Sequence, residues 1–599
     1  MKLSKLHVEN FKKLNNVDVI LGDASFLIGA NNSGKSSTLE AIEILITEKK
    51  IDSSFRSKYI EDGEEKQCQK DVIIEGEFTD VPQELVSKRG FNVRRINVYK
   101  QDGIEKYSFK YRVRLSSDNK LHREILMHSL DMKNQYLECT TYQQFIDKGV
   151  DSSYFEDKEN LEKKLTPKQM SDLENFCPVI FDIKDEDKWF ENPGGIPGNV
   201  ISHLPRILKI KADVLSEEMN AGKSGALHDI LDILFEDVRE KSQHYKTAVD
   251  ALSKLEKEMD AKDPNTEFGK MMIELNQVVD TVFHKASINV ETELTKPENL
   301  KANFSAYLKS NVETPVDRQG TGLIRATVFA LLQYKKQREE NENDNLARGL
   351  IITFEEPELF LHPNAAEKMR DLIYDLVSER CQIVATTHSP YMVNIEKLTK
   401  QVLNSYKMDE SEFALISAFN ISDAFKRIEE DDKVRVKMVQ KIDDYVSRVF
   451  FAQKVIIVEG DTEDIVFKHT INVMPEDVKK GIKEKYQIIK AVGKATMISF
   501  IKYLKALNVD VFVVHDEDLG TPGAEKMNEP ILSALSGEKS LRLMMHNCIE
   551  DELGYKASSN DKPFRAYQYV KKWEKWEDVP DNWKENMRII FSEFSSQLE

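Results

Sequence analysis

Residues 3–11 (LSKLHVENF) and 17–21 (VDVIL) alternate apolar and polar positions and predict two short strands around a turn at Lys12–Asn16. Phe26-Leu27-Ile28 is continuously apolar, as in a buried strand, and runs straight into GANNSGKSS. Thr38–Ile46 then takes up helical spacing. From Val72 to Leu115 strand patterns such as VIIEGEF and YSFKYRVRL are separated by charged turns, which predicts an antiparallel lobe. Beyond about residue 155 the period changes. Leu204–Leu215, Ala226–Lys241 and Tyr245–Met259 place apolar residues at three- and four-residue intervals, the pattern of long amphipathic helices. They read as an insertion in the first domain or an arm that pairs subunits. Sustained heptads are missing, so a long coiled-coil arm is not expected.

Gly320–Leu332 looks like a glycine-opened turn followed by a helix, and Gln337–Asn345 is a solvated charged loop. Gly349–Phe354 and Gln382–Thr386 are short buried strands with a helix over about 365–378 between them, the alternation that marks a parallel α/β sheet. The acidic linker Glu429–Asp432 leads into a helix ending near Phe451. A second α/β unit begins with Lys454–Val458 and continues through Asp510–Val514, while residues 573–599, rich in Trp and Lys, fit no period. At roughly 150 residues per domain, 599 residues allow two to four domains. Hydrophobic residues at 40 % and charged residues at 31 % suit a folded soluble protein with ample core. The balance of 85 basic and 103 acidic side chains, net −18, excludes a protein that coats nucleic acid or anionic membrane through bulk charge. Five scattered cysteines without a CxxC argue for a reducing compartment, and no apolar run approaches the ~20 residues of a membrane helix, so a cytoplasmic location is expected.

The chemistry sits at three strand ends in the first half. Gly29-Ala30-Asn31-Asn32-Ser33-Gly34-Lys35-Ser36 is a complete GxxxxGK(S/T) between a strand and a helix. Its backbone N–H groups, with Ser37 continuing the loop, would wrap phosphate oxygens at the positive end of the helix. Lys35 would reach the β- and γ-phosphates and the Ser36 hydroxyl would hold Mg²⁺. Gly349–Glu358 ends a buried strand in two consecutive carboxylates: Glu355 would bind Mg²⁺ through water and Glu356 would polarise the attacking water. His388, after another buried strand, would touch the γ-phosphate or orient that water. Together these motifs resemble the ABC-type ATPase head, in the branch with RecF- and SMC-like proteins. The resemblance implies that Asn10-Phe11-Lys12-Lys13 belongs to an opening strand whose basic residue, Lys13, lies near the phosphates, and that His388 is a switch histidine. Asp317-Arg318-Gln319-Gly320-Thr321-Gly322 looks like a degenerate signature loop, in which Gly322 would close over the nucleotide of a second subunit in a head-to-head dimer. It departs from the LSGGQ-like form, and a plain helix N-cap is the other reading.

The second half carries another acidic constellation. In VIIVEGDTE a buried strand leads to Glu459, and a helix starting at Asp461 would let Glu459 and Glu463 face one cavity. In VFVVHDEDLG, Asp516 and Asp518 are two apart and would point to the same side if extended. Hard oxygen donors with little histidine or thiol suit Mg²⁺ or Mn²⁺. This E…DxD arrangement resembles the TOPRIM domain. Its place behind an ABC head, with EEPELFLHP at residues 355–363, FFAQKV at 450–455 and Gly493-Lys494, resembles the OLD (overcoming lysogenization defect) family of ATPase–nucleases across essentially the whole chain. The resemblance implies that a late acid and a lysine complete a two-metal site, carried here onto Glu550 and Lys562, with Lys494 and Glu552 as further positions. Aromatics Tyr567, Tyr569, Trp573 and Trp576 among lysines would pack a core or stack on bases, core packing being favoured.

The expected fold class is therefore α/β: an ABC-type ATPase head whose halves, 1–155 and 301–428, flank a helical and dimerisation region at 156–300, followed by a TOPRIM nuclease domain at 429–599. The resemblance implies an ATP-regulated endonuclease that uses Mg²⁺ or Mn²⁺ on DNA, with cleavage of RNA by the same metal chemistry as the alternative. It also implies a homodimer or higher oligomer and phage defence beside a partner protein or a retron's reverse transcriptase with its RNA and DNA, with no membrane role. A nucleotide sensor whose TOPRIM domain serves only for assembly is the reading from another class. A topoisomerase would need a tyrosine nucleophile on a separate domain, and a primase would need polymerising partners; neither has a recognisable setting here.

Overall fold

The computed structural model describes residues 1–61, 64–86, 96–101, 103–155, 161–167, 169–170, 173, 177–191, 200–212, 226–258, 266–282, 307–309, 313–315, 321–341, 348–359, 361, 363–394, 400–442, 446–556 and 560–599. Its contacts divide the chain into a unit formed by Met1–Ile207 with Asn345–Glu599 and a unit formed by Leu208–Asp344.

The first unit carries three main sheets. The alternating N-terminal pattern becomes the antiparallel strands Lys2–Phe11 and Leu14–Ile20, which join Val72–Thr79, Asn97–Gln101, Ile104–Leu115, Leu121–Met132 and Phe181–Glu191 in a seven-stranded sheet. The second sheet has six strands, in the order Arg206–Ile210, Leu350–Glu355, Cys381–Thr386, Ala24–Gly29, Gln401–Met408 and Ala414–Asn420. Leu350–Glu355, Cys381–Thr386, Ala24–Gly29 and Gln401–Met408 are parallel neighbours. Their apolar runs are buried on both faces, and the helix Lys35–Ile46 packs between this sheet and the first. These two sheets and the helix between them form the region expected to be the ATPase head, called the head below.

The TOPRIM domain is an all-parallel sheet ordered Tyr486–Lys490, Lys454–Val458, Val511–Asp516 and Arg542–Met545. The C-terminal stretch without a period proves to be part of its core. The helices Lys562–Val570 and Asp581–Ile590 set Trp573, Trp576 and Trp583 among Val466, Phe467 and Ile471. Trp583 is fully buried, meets Phe467 edge to face, and donates its indole N–H to Thr470 Oγ1 at 2.9 Å. Head and TOPRIM domain join through the tight turn Val446–Phe451, in which Val446, Ser447, Val449 and Phe450 are buried. Ser447 donates to Val393 O of the head at 2.9 Å, and Arg448 donates to Ile488 O of the TOPRIM sheet at 3.0 Å.

The other unit holds the helices Ala226–Lys241, Gln243–Glu258, Glu267–Val282 and Thr321–Asn341, with a small hairpin of Tyr307–Lys309 and Glu313–Pro315. One expected helix is absent among the described residues. Within Leu204–Leu215 the structure has a strand, Arg206–Ile210, whose Arg206 N–H donates to Gly349 O at 2.7 Å. Over five residues, RILKI satisfies either period, and a free edge beside Leu350–Glu355 decides the matter. All five cysteines are free. Among the described residues no helix is long and apolar enough to cross a membrane.

Replacing Trp583 with Ala removes a fully buried ring and leaves Thr470 without its donor. The expected cost is about 3–5 kcal/mol, read as a lowered midpoint for the TOPRIM transition in thermal unfolding of the full chain. A Trp583→Ala protein that melts like the parent would mean that the tail is appended to the domain and not part of its core.

Candidate functional site

In the head, three parallel strands deliver their loops to one sheet edge. Glu355 pairs in register with Thr386, and Thr386 with Leu27, so the ends of Leu350–Glu355, Cys381–Thr386 and Ala24–Gly29 lie side by side. The loop after Ala24–Gly29 needs its glycines. Gly29 has φ +142°, and a Cβ there would come within 2.4 Å of the Tyr406 carbonyl oxygen; Gly34, at φ +102°, opens the helix Lys35–Ile46. Asn31, Asn32 and Ser36 are exposed, Ser37 is half-buried, and Ser33 is buried with its hydroxyl donating to Ala30 O at 2.8 Å. Lys35 Nζ donates to Gly29 O at 2.9 Å and Ala30 O at 2.6 Å. Burial pushes its pKa down to about 8, against the opposing pull of the Glu356 carboxylate. Lys13 lies beside this loop, its Cβ 3.6 Å from where a Gly34 Cβ would stand, while its ammonium pairs with Glu412 at 2.9 Å.

Glu355 ends its strand half-buried, and Glu356 follows at φ +44°, an uncommon conformation for a residue with a side chain. The Glu356 N–H is held by Thr386, donating to its carbonyl oxygen at 3.0 Å, and the Glu356 carboxylate stands 3.6 Å from His388 Nε2. Burial, reinforced by the charge of Lys35, lowers the His388 pKa and keeps the ring neutral near pH 7, despite Glu356. The structure adds Glu358, to which the sequence reading gave no role. Its Oε1 accepts from Thr387 Oγ1 at 2.6 Å and from the His388 N–H at 3.2 Å, so it fixes the histidine loop; burial raises its pKa. The signal was present as the third acid of EEPE. Gly322 stands in the first turn of the helix Thr321–Asn341, in the other unit, and Asp317–Gly320 lie outside the described residues.

The TOPRIM sheet repeats the device with acids alone. Glu459 leaves the end of Lys454–Val458, Asp516 ends the adjacent Val511–Asp516, and Glu550 lies in the helix Ile549–Leu553 that follows Arg542–Met545. The helix Asp461–Val473 does start where expected, and buried Glu463 on its first turn accepts the Gly460 N–H at 2.8 Å. Asp516 Oδ1 accepts the Ile549 N–H at 3.1 Å, which ties the second strand end to the Glu550 helix. Glu550 is 1 % exposed, and Lys562 Nζ approaches its Oε1 at 4.0 Å. Asp518 corrects the extended reading of the DxD: the strand stops at Asp516, and Asp518 sits in a turn at φ +60°. There it pairs at 2.6 Å with the buried ammonium of Lys494, which also donates to Asn528 Oδ1 at 2.9 Å. Glu552 faces away, toward the His546 N–H and Asn586.

These residues fit a divalent cation by burial and by donor type. Glu459 Oε2 and Glu550 Oε2 are buried without a hydrogen-bond partner among the described residues, which is costly unless something cationic meets them. Burial first, then the charges of Glu463, Glu459, Asp518 and Glu550, push the Asp516 pKa up to about 8. Glu459 rises to about 7, chiefly by burial and against the pull of Lys494, and Glu463 is also raised, again chiefly by burial. No three Asp, Glu, His or Cys side chains among the described residues already encircle one point. The reason is local: Lys494 draws off Asp518, and backbone N–H groups hold Glu463 and Asp516.

A carboxyl whose pKa is raised on folding binds its proton more tightly in the native state, so its contribution to stability is present at low pH and is lost as pH rises through the folded pKa. With Asp516 near 8 and Glu459 near 7, the thermal midpoint of metal-free protein should fall between about pH 5 and pH 8, and Asp516→Asn should flatten that fall. Divalent metal should raise the midpoint most at the alkaline end. A differential scanning fluorimetry series over pH, with chelator and with Mn²⁺, checks both.

Comparison with known proteins agrees with this geometry. Residues 1–393 match the AAA ATPase domain family, and residues 450–518 match the overcoming lysogenization defect protein-like TOPRIM domain. The Old nuclease of Escherichia phage P2 is 24 % identical over 383 residues, covering 60 % of this chain and 64 % of that protein. The OLD nuclease of Thermus scotoductus is 24 % identical over 283 residues, covering 44 % and 51 %, and the endonuclease GajA of Bacillus cereus is 24 % identical over 249 residues, covering 39 % and 35 %. The matches thus span less than two-thirds of each relative's length. ATPase and TOPRIM domains together imply use of a nucleotide and a divalent metal. The chain belongs to the AAA ATPase domain family, and an OLD-like TOPRIM domain follows its ATPase domain.

Proposed function

We propose that the chain is an ATP-regulated, divalent-metal-dependent endonuclease that cleaves DNA phosphodiesters in the cytoplasm, as an effector of defence against phage. The observation that carries this reading is the set of buried carboxylates at adjacent strand ends of the TOPRIM sheet, two with partnerless oxygens and one approached by Lys562. The names of the relatives, all nucleases, support it.

Glu459, Glu463, Asp516, Asp518 and Glu550 are the proposed ligand set. When bound there, Mg²⁺ or Mn²⁺ supplies an activated water and charge stabilisation for the leaving oxygen. Glu459 and Asp516 would have to shed their protons to hold the metal, and their raised pKa values oppose this, so its uptake would release protons and strengthen toward alkaline pH. Lys562 offsets negative charge gathering on the scissile phosphate. Asp518 would join this set only by giving up its pairing with Lys494. In the head, the loop Asn31–Gly34 with Lys35 and Ser37 cradles the phosphates of ATP, Ser36 and Glu355 hold Mg²⁺, and Glu356 with neutral His388 positions the water. Lys13 serves the phosphates from beside Gly34 once released from Glu412. Gly322 belongs to the loop that meets a second head, so the working form is a homodimer or a higher oligomer, with defence partner proteins or a retron's reverse transcriptase as further associates.

Incubating the purified chain with plasmid, linear DNA and RNA, with and without Mn²⁺ and ATP, tests the assignment. Asp516→Ala should lose plasmid nicking by about a hundredfold or more with its fold intact. Lys35→Ala and Glu356→Gln should still cut but lose or alter the response to nucleotide. Undiminished nicking by Asp516→Ala would leave the TOPRIM domain with an assembly role only.

A further inference from the structure

The helix Lys562–Val570 begins at the carboxylate pocket, because Lys562 lies against Glu550. One side of it is fixed in the core by Ala566 and Val570, with Trp573 just beyond. The opposite side is open. Phe564 is 60 % exposed and Tyr567 50 % exposed, three residues apart on one helix face, and Lys562, Arg565, Lys571 and Lys572 are exposed around them. Residues 562–573 contain those four cations and no acid, in a chain whose net charge is −18. The loops leaving the neighbouring strands also show apolar side chains: Val492, 44 % exposed at φ +58°, two residues before Lys494, and Leu519, 48 % exposed, directly after Asp518.

Large rings held open beside cations are an unusual use of surface, and their combination selects among partners. The acidic pocket repels a polyanion, so attraction for one must come from its flank. Phosphates alone would be met by lysine and arginine without aromatics. A base-paired duplex offers phosphates and groove edges, with its base faces already stacked, whereas an unpaired strand offers both phosphates and free base faces. We propose that the exposed face of Lys562–Val570 is a stacking platform for an unpaired nucleic-acid strand: Phe564 and Tyr567 each take a base, and Arg565, Lys571 and Lys572 take the phosphates. The platform delivers the strand past Lys562 to the carboxylates, with Val492 and Leu519 as apolar rim. It rests on the nuclease reading above and names the form of substrate that reading leaves open.

The test uses the full-length Asp516→Ala protein in Mg²⁺, so that binding is read without cutting. Fluorescein-labelled oligo-dT, oligo-rU and a mixed-sequence duplex are titrated by anisotropy, and 2-aminopurine in the single strand reports stacking directly. Single strands should bind at least tenfold more tightly than duplex. Phe564→Leu and Tyr567→Leu should each weaken them by about tenfold, the range expected for loss of one base–aromatic stack, and should abolish the 2-aminopurine quench. Phe564→Tyr and Tyr567→Trp, which keep a ring, should retain both. The dT and rU arms tell a DNA strand from an RNA strand by their relative affinities. Duplex bound as tightly as single strand, or leucine variants that bind and quench like the parent, would overturn the platform even if wild-type protein nicks plasmid. Failure of the nuclease reading shows separately, as wild-type protein that cuts nothing.

Discussion

Keeping several carboxylates out of water at the end of one parallel sheet is the constraint to which the rest of the TOPRIM domain answers. Each acid alone would be solvated in a turn. Here Glu459, Asp516 and Glu550 are carried inward by strands and a helix whose own side chains fill a continuous core, and that core includes three tryptophans from the tail of the chain. The unfavourable burial is relieved in three ways: retained protons on Asp516 and Glu459, the ammonium of Lys494 against Asp518, and N–H groups from Gly460 and Ile549. A site assembled at this cost has little use other than to receive positive charge.

The head answers a complementary constraint. Its buried ion is a cation, Lys35, held inside a glycine-framed loop, and the acids face it from neighbouring strand ends. The left-handed backbone at Glu356 is tolerated because Thr386 captures its N–H, and the position of His388 is set by Glu358 through Thr387 and the histidine's own N–H. Parallel pairing makes both sites possible, since it brings loops that are far apart in sequence to a single edge.

Much of this was legible because strand ends announce themselves. Apolar runs followed by GxxxxGK(S/T), EEPE, VEGD or HDED mark both the element and the functional side chain in one string, and the structure brings Glu356 to His388 and Lys562 to Glu550 accordingly. What stayed hidden depends on geometry that short strings do not encode. A five-residue stretch of mixed character, Arg206–Ile210, became a strand because an edge was free to pair. The two aspartates of the DxD parted because the backbone turns left-handed at Asp518. Glu358 and Lys494 owe their roles to partners distant in sequence. The four aromatics of the tail have different fates: Trp573 and Trp576, beyond the helix Lys562–Val570, went into the core, while on the helix Tyr569 is half-buried and Tyr567 remained outside.

The turn Val446–Phe451 has a practical corollary for anyone dissecting the molecule. Its four buried side chains contribute to the interiors on both sides, so it is a shared keystone and no slack tether. A fragment cut just after it would strip the TOPRIM sheet of the Arg448 bond to Ile488, and one cut just before it would take from Val393 O in the head its bond from the Ser447 hydroxyl. Either half made alone would carry a raw seam prone to self-association, and its behaviour would report on that wound as much as on the domain.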